Sequence, residues 1–291
     1  MNMHLNYLEN YKIEGTINFD QNEAFHQETT YPKFQSQLFD FKKWLINNVN
    51  QGKPTTIYKF GDGDFHFLTK SRVGSAQPGR RALSKDYNQM TNHHEFIDGV
   101  CKNDVIAVEI YNHSLFHQIY PTRKIDIPAE YGYGLIANRW LTKTFSNQIG
   151  LIGASEKLDL IKELMKKQEY RNFLGLDHFN DYIKIPQKFA CDNLEELVQS
   201  TLQQLRNCKS ETKIFLVGIG HVKSGLLHRL KEEKNATFYD VGSGIDALAG
   251  IIDCYRPYMG AWTNYKISNY DYSKIDFLQY TPIPEKEKWL V

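Results

Sequence analysis

Regular alternation of strand-like and helix-like segments is the feature that most constrains the fold of this chain. Short runs of β-branched, aliphatic and aromatic residues predict six strands, at 55–60, 104–111, 148–154, 181–185, 213–217 and 236–241. Helical spacing of apolar residues separates most of them, as at 156–170, 194–208 and 223–232. Such alternation is typical of a parallel sheet covered by helices. We therefore expect an α/β protein with a Rossmann-like, mainly parallel sheet of about six strands and flanking helices in a single domain.

The two ends of the chain differ in composition from this central part. Residues 1–30 are polar and rich in Asn, Gln and Glu, which predicts an N-terminal arm. Residues 256–291 have no clear period and many tyrosines, which predicts an irregular extension packed on the domain. The catalytic domain is therefore expected to span residues 31–255.

Charge and cysteine usage exclude several classes of protein. The net charge of +1 lacks the basic excess of nucleic-acid binders. The four cysteines are scattered, without the spacing of a zinc site or a disulfide framework, which suits a reducing compartment. No apolar run is long enough for a membrane helix, and the N-terminus lacks the apolar core of a signal peptide. We expect a cytoplasmic protein that binds no nucleic acid, while the oligomeric state stays open.

Directly after the predicted strand 55–60 comes the loop Gly61-Asp62-Gly63-Asp64. Its two glycines permit a sharp turn and a close approach of the backbone to a ligand. Asp62 and Asp64 supply hard oxygen ligands of the kind that Mg²⁺ or Mn²⁺ uses when it also holds substrate phosphates. The alternative is a plain turn, since Asp-Gly is a common turn signal.

An arginine-containing loop follows at residues 71–81, where Gly and Pro disfavour regular structure. Its guanidinium groups suit bidentate contacts to phosphate, so Arg72, Arg80 and Arg81 are candidates to close over a diphosphate. A solvated surface loop is the alternative.

A second glycine-rich loop links the predicted strand 213–217 to the helix 223–232. Gly218, Gly220, His221 and Lys223 are its candidate phosphate-binding residues, because such a turn offers backbone N–H groups and a helix N-terminus. Lys223 stands where the dinucleotide-binding motif needs its third glycine, and Val222 precedes Lys223 where a P-loop needs glycine. A tight turn that only packs a helix on the sheet is the alternative.

The stretch Asp240-Val241-Gly242-Ser243-Gly244 resembles the first motif of S-adenosylmethionine-dependent methyltransferases. That motif normally opens its sheet, whereas here only residues 245–291 follow it. A methyltransferase is therefore kept as an alternative function.

Taken together, the loops resemble one family. The stretch from Lys59 to Asp64, a downstream strand ending in Leu216-Val217-Gly218, and Asp240-Val241-Gly242 are similar to the bacterial glycosyltransferases of the GT-D fold. Those enzymes carry an F-G-D-G-E type motif and a later D-I-G-H type motif, and the resemblance spans roughly residues 34–255. It implies transfer of a sugar from a nucleoside diphosphate sugar, usually a UDP-sugar, to a glycan or glycoconjugate acceptor, with Mn²⁺ or Mg²⁺ held by Asp62 and Asp64.

This chain departs from the family pattern at two positions. Asp64 replaces the motif's Glu and is shorter by one methylene, and Ser243 replaces the motif's His. Serine cannot ligate a metal or shuttle a proton as imidazole does, and His221 in the neighbouring loop is a candidate substitute. Loss of that histidine leaves a non-catalytic nucleotide-sugar-binding protein as a further alternative. An inverting reaction needs a general base, for which Glu109, Asp246 and Glu130 are unranked candidates.

Overall fold

The computed structural model describes residues 34–71, 90, 92–137, 139–186 and 188–250, together with the strands at 265–267 and 288–290. The predicted arm at 1–30, the arginines Arg72, Arg80 and Arg81, and most of the stretch 256–291 lie outside the described residues. The described helices are α1 (Phe34–Asn50), α2 (Asp62–Leu68), α3 (His93–Cys101), α4 (His113–Ile119), α5 (Glu130–Ala137), α6 (Trp140–Thr144), α7 (Ser155–Met165), α8 (Gln168–Leu174), α9 (Leu194–Arg206), α10 (Lys223–Glu233) and α11 (Gly244–Leu248), with 3-10 turns at Ile110–Asn112 and Gly220–Val222.

Seven strands form one sheet in the order β3-β2-β1-β7-β6-β4-β5. Every neighbouring pair in it is parallel, which confirms the predicted α/β, Rossmann-like class. The strands are β1 (Thr55–Phe60), β2 (Val105–Val108), β3 (Ile127–Pro128), β4 (Ile149–Ala154), β5 (Asp181–Ile185), β6 (Ile214–Gly218) and β7 (Thr237–Asp240), and a separate parallel pair joins β8 (Tyr265–Ile267) to β9 (Lys288–Leu290).

Helices cover both faces of the large sheet. Successive side chains of a strand point to opposite faces, so each strand contributes to two cores. On one face Ile57 and Leu216 pack in a core with α1, α5, α7 and α11. On the other face Tyr58 and Val217 pack with α3, α4, α9 and α10. Strands with both faces buried are nearly continuous apolar runs, which is why the sequence pattern finds β4 and β6.

Several local predictions were wrong. Six strands were predicted, and the additional one is β3. It has only two residues and no apolar run, so the sequence pattern does not indicate it. The strand predicted to reach residue 111 ends at Val108, and a 3-10 turn follows. The two glycines of the stretch 129–134 predict a turn, but residues 130–137 form the helix α5. Gly132 leaves room for the Tyr239 hydroxyl, which lies 3.1 Å from the position of an added Cβ. The short strands β8 and β9 interrupt the stretch that was predicted to be irregular.

The strands of the large sheet that come first and last along the chain, β1 and β7, are neighbours at its centre. After β1 the chain enters α2 on one face, and after β7 it enters α11 on the other face. Such a divergence opens a crevice at the carboxyl ends of the two strands, where parallel sheets bind their ligands. Among the described helices, none is both long and apolar enough to cross a bilayer.

Candidate active site

Lys223 is the centre of the cluster at the carboxyl ends of β1, β6 and β7. Its ammonium nitrogen lies 3.1 Å from Asp64 Oδ2 and 2.7 Å from Asp240 Oδ2, and it donates to the carbonyl oxygen of Lys59. The three charged side chains are almost completely buried, at 7, 5 and 0% exposure for Lys223, Asp64 and Asp240. Lys223 Nζ also lies 4.6 Å from the centre of the Tyr58 ring. One buried lysine thus ties together the strands that carry both glycine-rich loops.

Both carboxylate oxygens of Asp64 contact polar groups of the protein. Oδ1 lies 3.3 Å from the Tyr58 hydroxyl and 3.3 Å from His221 Nδ1, and Oδ2 accepts from the Gly61 amide at 2.9 Å. Burial by itself would raise the pKa of Asp64, but the Lys223 ammonium and then His221 outweigh it and hold that pKa well below its usual range. Asp64 is therefore ionised and fully engaged by protein groups.

Asp240 is engaged in the same way. Besides Lys223, its Oδ2 accepts from the Lys59 amide at 3.1 Å and its Oδ1 from the Gly242 amide at 2.9 Å. Gly242 has a φ of +51°, a conformation that favours glycine, which explains the residue at this turn. Because the Asp240 side chain is completely buried and both of its oxygens accept from the protein, the methyltransferase alternative lacks an open carboxylate at this strand end.

Asp62 and Asp64 point to different environments although they are two residues apart. Asp62 is exposed, and its Oδ1 accepts from the Gly63 amide at 2.7 Å, whereas Asp64 is buried against Lys223. Within the described residues, no group of three or more His, Cys, Asp or Glu side chains is placed to hold a metal ion. Asp64 is surrounded by Lys223, His221 and the Gly61 amide, and this environment does not suit a metal ligand. The predicted binding of Mn²⁺ or Mg²⁺ by Asp62 and Asp64 therefore has no part in the proposed reaction.

His221 belongs to the second glycine-rich loop and packs against the first. Its ring stacks on Phe67, with centroids 5.0 Å apart and planes 10° apart. A Cβ added at Gly63 would stand 3.0 Å from His221 Cε1, so glycine at 63 makes room for the imidazole. Gly220 has a φ of +59°, and no atom of the described residues lies within 4 Å of a Cβ added there, so among these residues the turn borders open space. The loops leave room for a ligand beside a half-buried histidine.

Glu109 forms a second cluster at the carboxyl end of β2. Its Oε1 lies 2.8 Å from Lys59 Nζ and accepts from the Tyr133 hydroxyl at 2.5 Å, while its Oε2 accepts from the Asn112 amide group at 2.7 Å. The side chains of Lys59 and Glu109 are 14 and 23% exposed. Burial lowers the pKa of Lys59, but the charge of Glu109 dominates together with its other neighbours, and the net pKa is well above the usual value. Glu109 is thus a fixed carboxylate with partial access to solvent.

Sequence reasoning missed three members of this second cluster. Lys59 lies within a strand pattern, Tyr133 lies in a stretch taken for a turn, and Asn112 carries no motif. Only the position of Lys59, inside the stretch that resembles the family motif, offered a signal.

The remaining candidates lie around these two clusters or pack the loops. Asp246 on α11 pairs with Lys157 at 2.5 Å, and buried Glu130 accepts from the Ile110 amide at 2.9 Å. A Cβ added at Gly218 would meet the Gly242 carbonyl oxygen at 2.7 Å, so this glycine is required by the packing of two loops. Ser243 directly precedes α11 and does not cap it with its side chain.

Comparisons with known proteins give a distant similarity to a solved structure. Neither family models nor curated proteins match this chain. Among solved structures, it is similar to "A New Glycosyltransferase (DUF1792) from Streptococcus sanguinis", with a TM-score of 0.47 and 12% identity. The similarity covers 86% of this chain and 92% of that one. At this TM-score it supports no conclusion about the activity of this chain.

Proposed function

We propose that this chain is a glycosyltransferase that moves a sugar from a nucleoside diphosphate sugar, with a UDP-sugar as the expected donor, to a hydroxyl group of a glycan or glycoconjugate. The observation that carries the proposal is the contact between the two glycine-rich loops. His221 lies 3.3 Å from Asp64, 157 positions away in the sequence, at the carboxyl ends of central parallel strands. The resemblance of the first loop to the F-G-D-G-E motif supports a sugar nucleotide as the ligand.

The proposed diphosphate position lies between Gly61–Gly63 and Gly218–His221. Open space beside Gly220 gives the phosphates access to the backbone of the second loop. Helix α10 begins at Lys223, directly after the 3-10 turn Gly220–Val222, and its N-terminus adds partial positive charge on this side. Exposed Asp62 is the first residue of helix α2, directly after Gly61. The donor is thus bound mainly through backbone groups and His221.

Glu109 is the proposed general base. Its side chain is 23% exposed, whereas that of Asp246 is 11% exposed and paired with Lys157, and Glu130 is buried. In the step we propose, the acceptor hydroxyl gives its proton to Glu109 and its oxygen bonds to the anomeric carbon. The bond from that carbon to the phosphate oxygen breaks, and its electron pair leaves with the nucleoside diphosphate. Direct attack of this kind inverts the anomeric configuration.

Thermal unfolding of the purified protein with UDP, and separately with S-adenosylhomocysteine, tests the ligand class. A ligand at about 100 times its Kd stabilises a protein by about 2.7 kcal/mol. Stabilisation by UDP supports the proposal, and stabilisation by S-adenosylhomocysteine alone contradicts it. Release of UDP from UDP-sugars in the presence of glycan acceptors then separates an enzyme from a protein that only binds the nucleotide.

A further inference from the structure

We propose that the ammonium group of Lys223 takes the place of a divalent cation between the two glycine-rich loops, so that the site works without a metal ion on Asp64 or Asp240. The inference rests on the proposed function for the identity of the donor. A protein cation fills this position already in the free protein, so its presence is tested there without a donor.

Three oxygens surround the ammonium group of Lys223. It forms ion pairs with Asp64 Oδ2 and Asp240 Oδ2 and donates a hydrogen bond to the Lys59 carbonyl oxygen. Two carboxylates and a carbonyl are also the oxygen ligands that a hard cation prefers. The lysine therefore fills a site of the composition that would otherwise suit Mg²⁺ or Mn²⁺.

Electrostatics makes the two occupants mutually exclusive. A divalent ion on Asp64 or Asp240 would lie within a few ångströms of the ammonium group, where like charges repel strongly outside bulk water. With 7% of its side chain exposed, Lys223 has little space in which to withdraw from the carboxylates. A metal can bind this pair only when the ammonium group is removed.

The same contacts explain why the first loop tolerates Asp at position 64. The shorter side chain reaches Lys223 Nζ at 3.1 Å while its Oδ2 also accepts from the Gly61 amide at 2.9 Å. A carboxylate that pairs with a lysine on the adjacent strand end does not have to extend to a metal ion in the cleft. Asp64 is accordingly a positioning residue that fixes Lys223 and His221.

The test compares wild type with Lys223→Met, which keeps an unbranched chain of similar length but removes the charge. Lys157→Met is the matched control, because Lys157 makes a half-buried ion pair with Asp246 outside the Asp64–Asp240 pair. Thermal unfolding is followed in EDTA and in excess Mn²⁺. We expect no Mn²⁺ effect on wild type or Lys157→Met, and a rise in Tm of about 5 °C or more for Lys223→Met, whose two carboxylates are left to bind the ion.

Two measurements on the wild type keep the inference testable if Lys223→Met fails to fold. Electron paramagnetic resonance of free Mn²⁺ should show no loss of signal when the wild-type protein is added, and UDP should bind with the same Kd, within about twofold, in EDTA and in Mn²⁺. Tight Mn²⁺ binding by the free wild type overturns the inference. UDP binding that requires Mn²⁺ also overturns it while supporting the proposed function, whereas absence of UDP binding in both conditions contradicts the proposed function and leaves the Mn²⁺ results to decide the role of Lys223.

Discussion

Lys59 Nζ lies 2.8 Å from Glu109 Oε1, and this ion pair joins the carboxyl ends of two neighbouring strands, β1 and β2. The Tyr133 hydroxyl and the Asn112 amide group hold the same carboxylate from the side of the helices. A carboxylate with this many donors has a fixed orientation, which a general base requires. The pair borders the first glycine-rich loop, because Lys59 Nζ lies 3.3 Å from the position of a Cβ added at Gly61.

Replacement of Glu109 by Gln is expected to lower the rate of sugar transfer about 10²- to 10⁴-fold, the usual contribution of a general base. Binding of UDP should change less than about twofold, because Glu109 acts on the acceptor side. Product formation and isothermal titration of UDP measure the two effects separately. Glu163→Gln, at an exposed ion pair with Lys166, is the control. Transfer at the wild-type rate by Glu109→Gln contradicts the assignment.

Replacement of Asp240 by Asn is expected to destabilise the fold strongly. Asp240 is completely buried and pairs with Lys223 at 2.7 Å, and removal of one partner from such a pair typically costs about 3–5 kcal/mol. Urea unfolding measures the change in the free energy of unfolding.

Asp159→Asn provides the comparison for this prediction. Asp159 pairs with Lys184 at 2.5 Å, but the two side chains are 50 and 36% exposed. Exposed ion pairs contribute about 0–1 kcal/mol. If Asp240→Asn and Asp159→Asn lower the free energy of unfolding by the same small amount, the buried pair of Asp240 with Lys223 does not stabilise the fold.

The sequence predicts the class of the fold well because fully buried strands, such as β4 and β6, leave continuous apolar runs between amphipathic helices. It also predicts Gly61–Asp64 and Gly218–Lys223 as the two chemical loops, since glycine and acidic residues at strand ends are visible without a structure. It does not predict that Lys223 binds Asp64 and Asp240, because that contact depends on β1 and β7 being neighbours although they are the first and last strands of the sheet. Strand order is a long-range property that local patterns do not encode.

Gly99 should not tolerate alanine. A Cβ at this position on α3 would stand 2.0 Å from the Ser224 carbonyl oxygen of α10, and backbone cannot move aside as a side chain can. We expect a loss of about 1–3 kcal/mol or more in urea unfolding, as for other overpacked cores. Gly225→Ala is the control, because its Cβ would meet the mobile end of the Leu194 side chain at 2.5 Å and should cost less. Equal stability of Gly99→Ala and wild type would mean that the two helices are not in this close contact.

Buried His228 should make the fold sensitive to mild acid. Burial, and then the positive charges of Lys102, Arg229 and Lys231, lower the pKa of His228 to about 4. The unfolded chain takes up this proton near pH 6.5, so between pH 6.5 and 4 it binds more protons than the folded state. Stability therefore falls as the pH drops through this window, with a slope from this residue of at most about 1.4 kcal/mol per pH unit.

His228→Gln removes this titration and should flatten the dependence of the free energy of unfolding on pH between 6.5 and 4. Asp64 contributes its own loss of stability only at lower pH, below the ordinary pKa of an aspartate, because its folded pKa is depressed. Urea unfolding at several pH values, for wild type and variant, gives the difference directly. Identical slopes in this window would show that His228 does not titrate as described.

A titration of the isotope-labelled protein with UDP, followed by backbone amide NMR shifts, tests whether a nucleoside diphosphate binds where the two glycine-rich loops meet. We expect the amides of Gly61, Gly63, Gly220 and His221 to shift and to saturate together. The amide of Gly52, which precedes β1 at the opposite end of the sheet, should remain unchanged. Shifts that are confined to the end of the sheet near Gly52, or no shifts at high UDP concentration, would mean that the nucleotide does not bind between these loops.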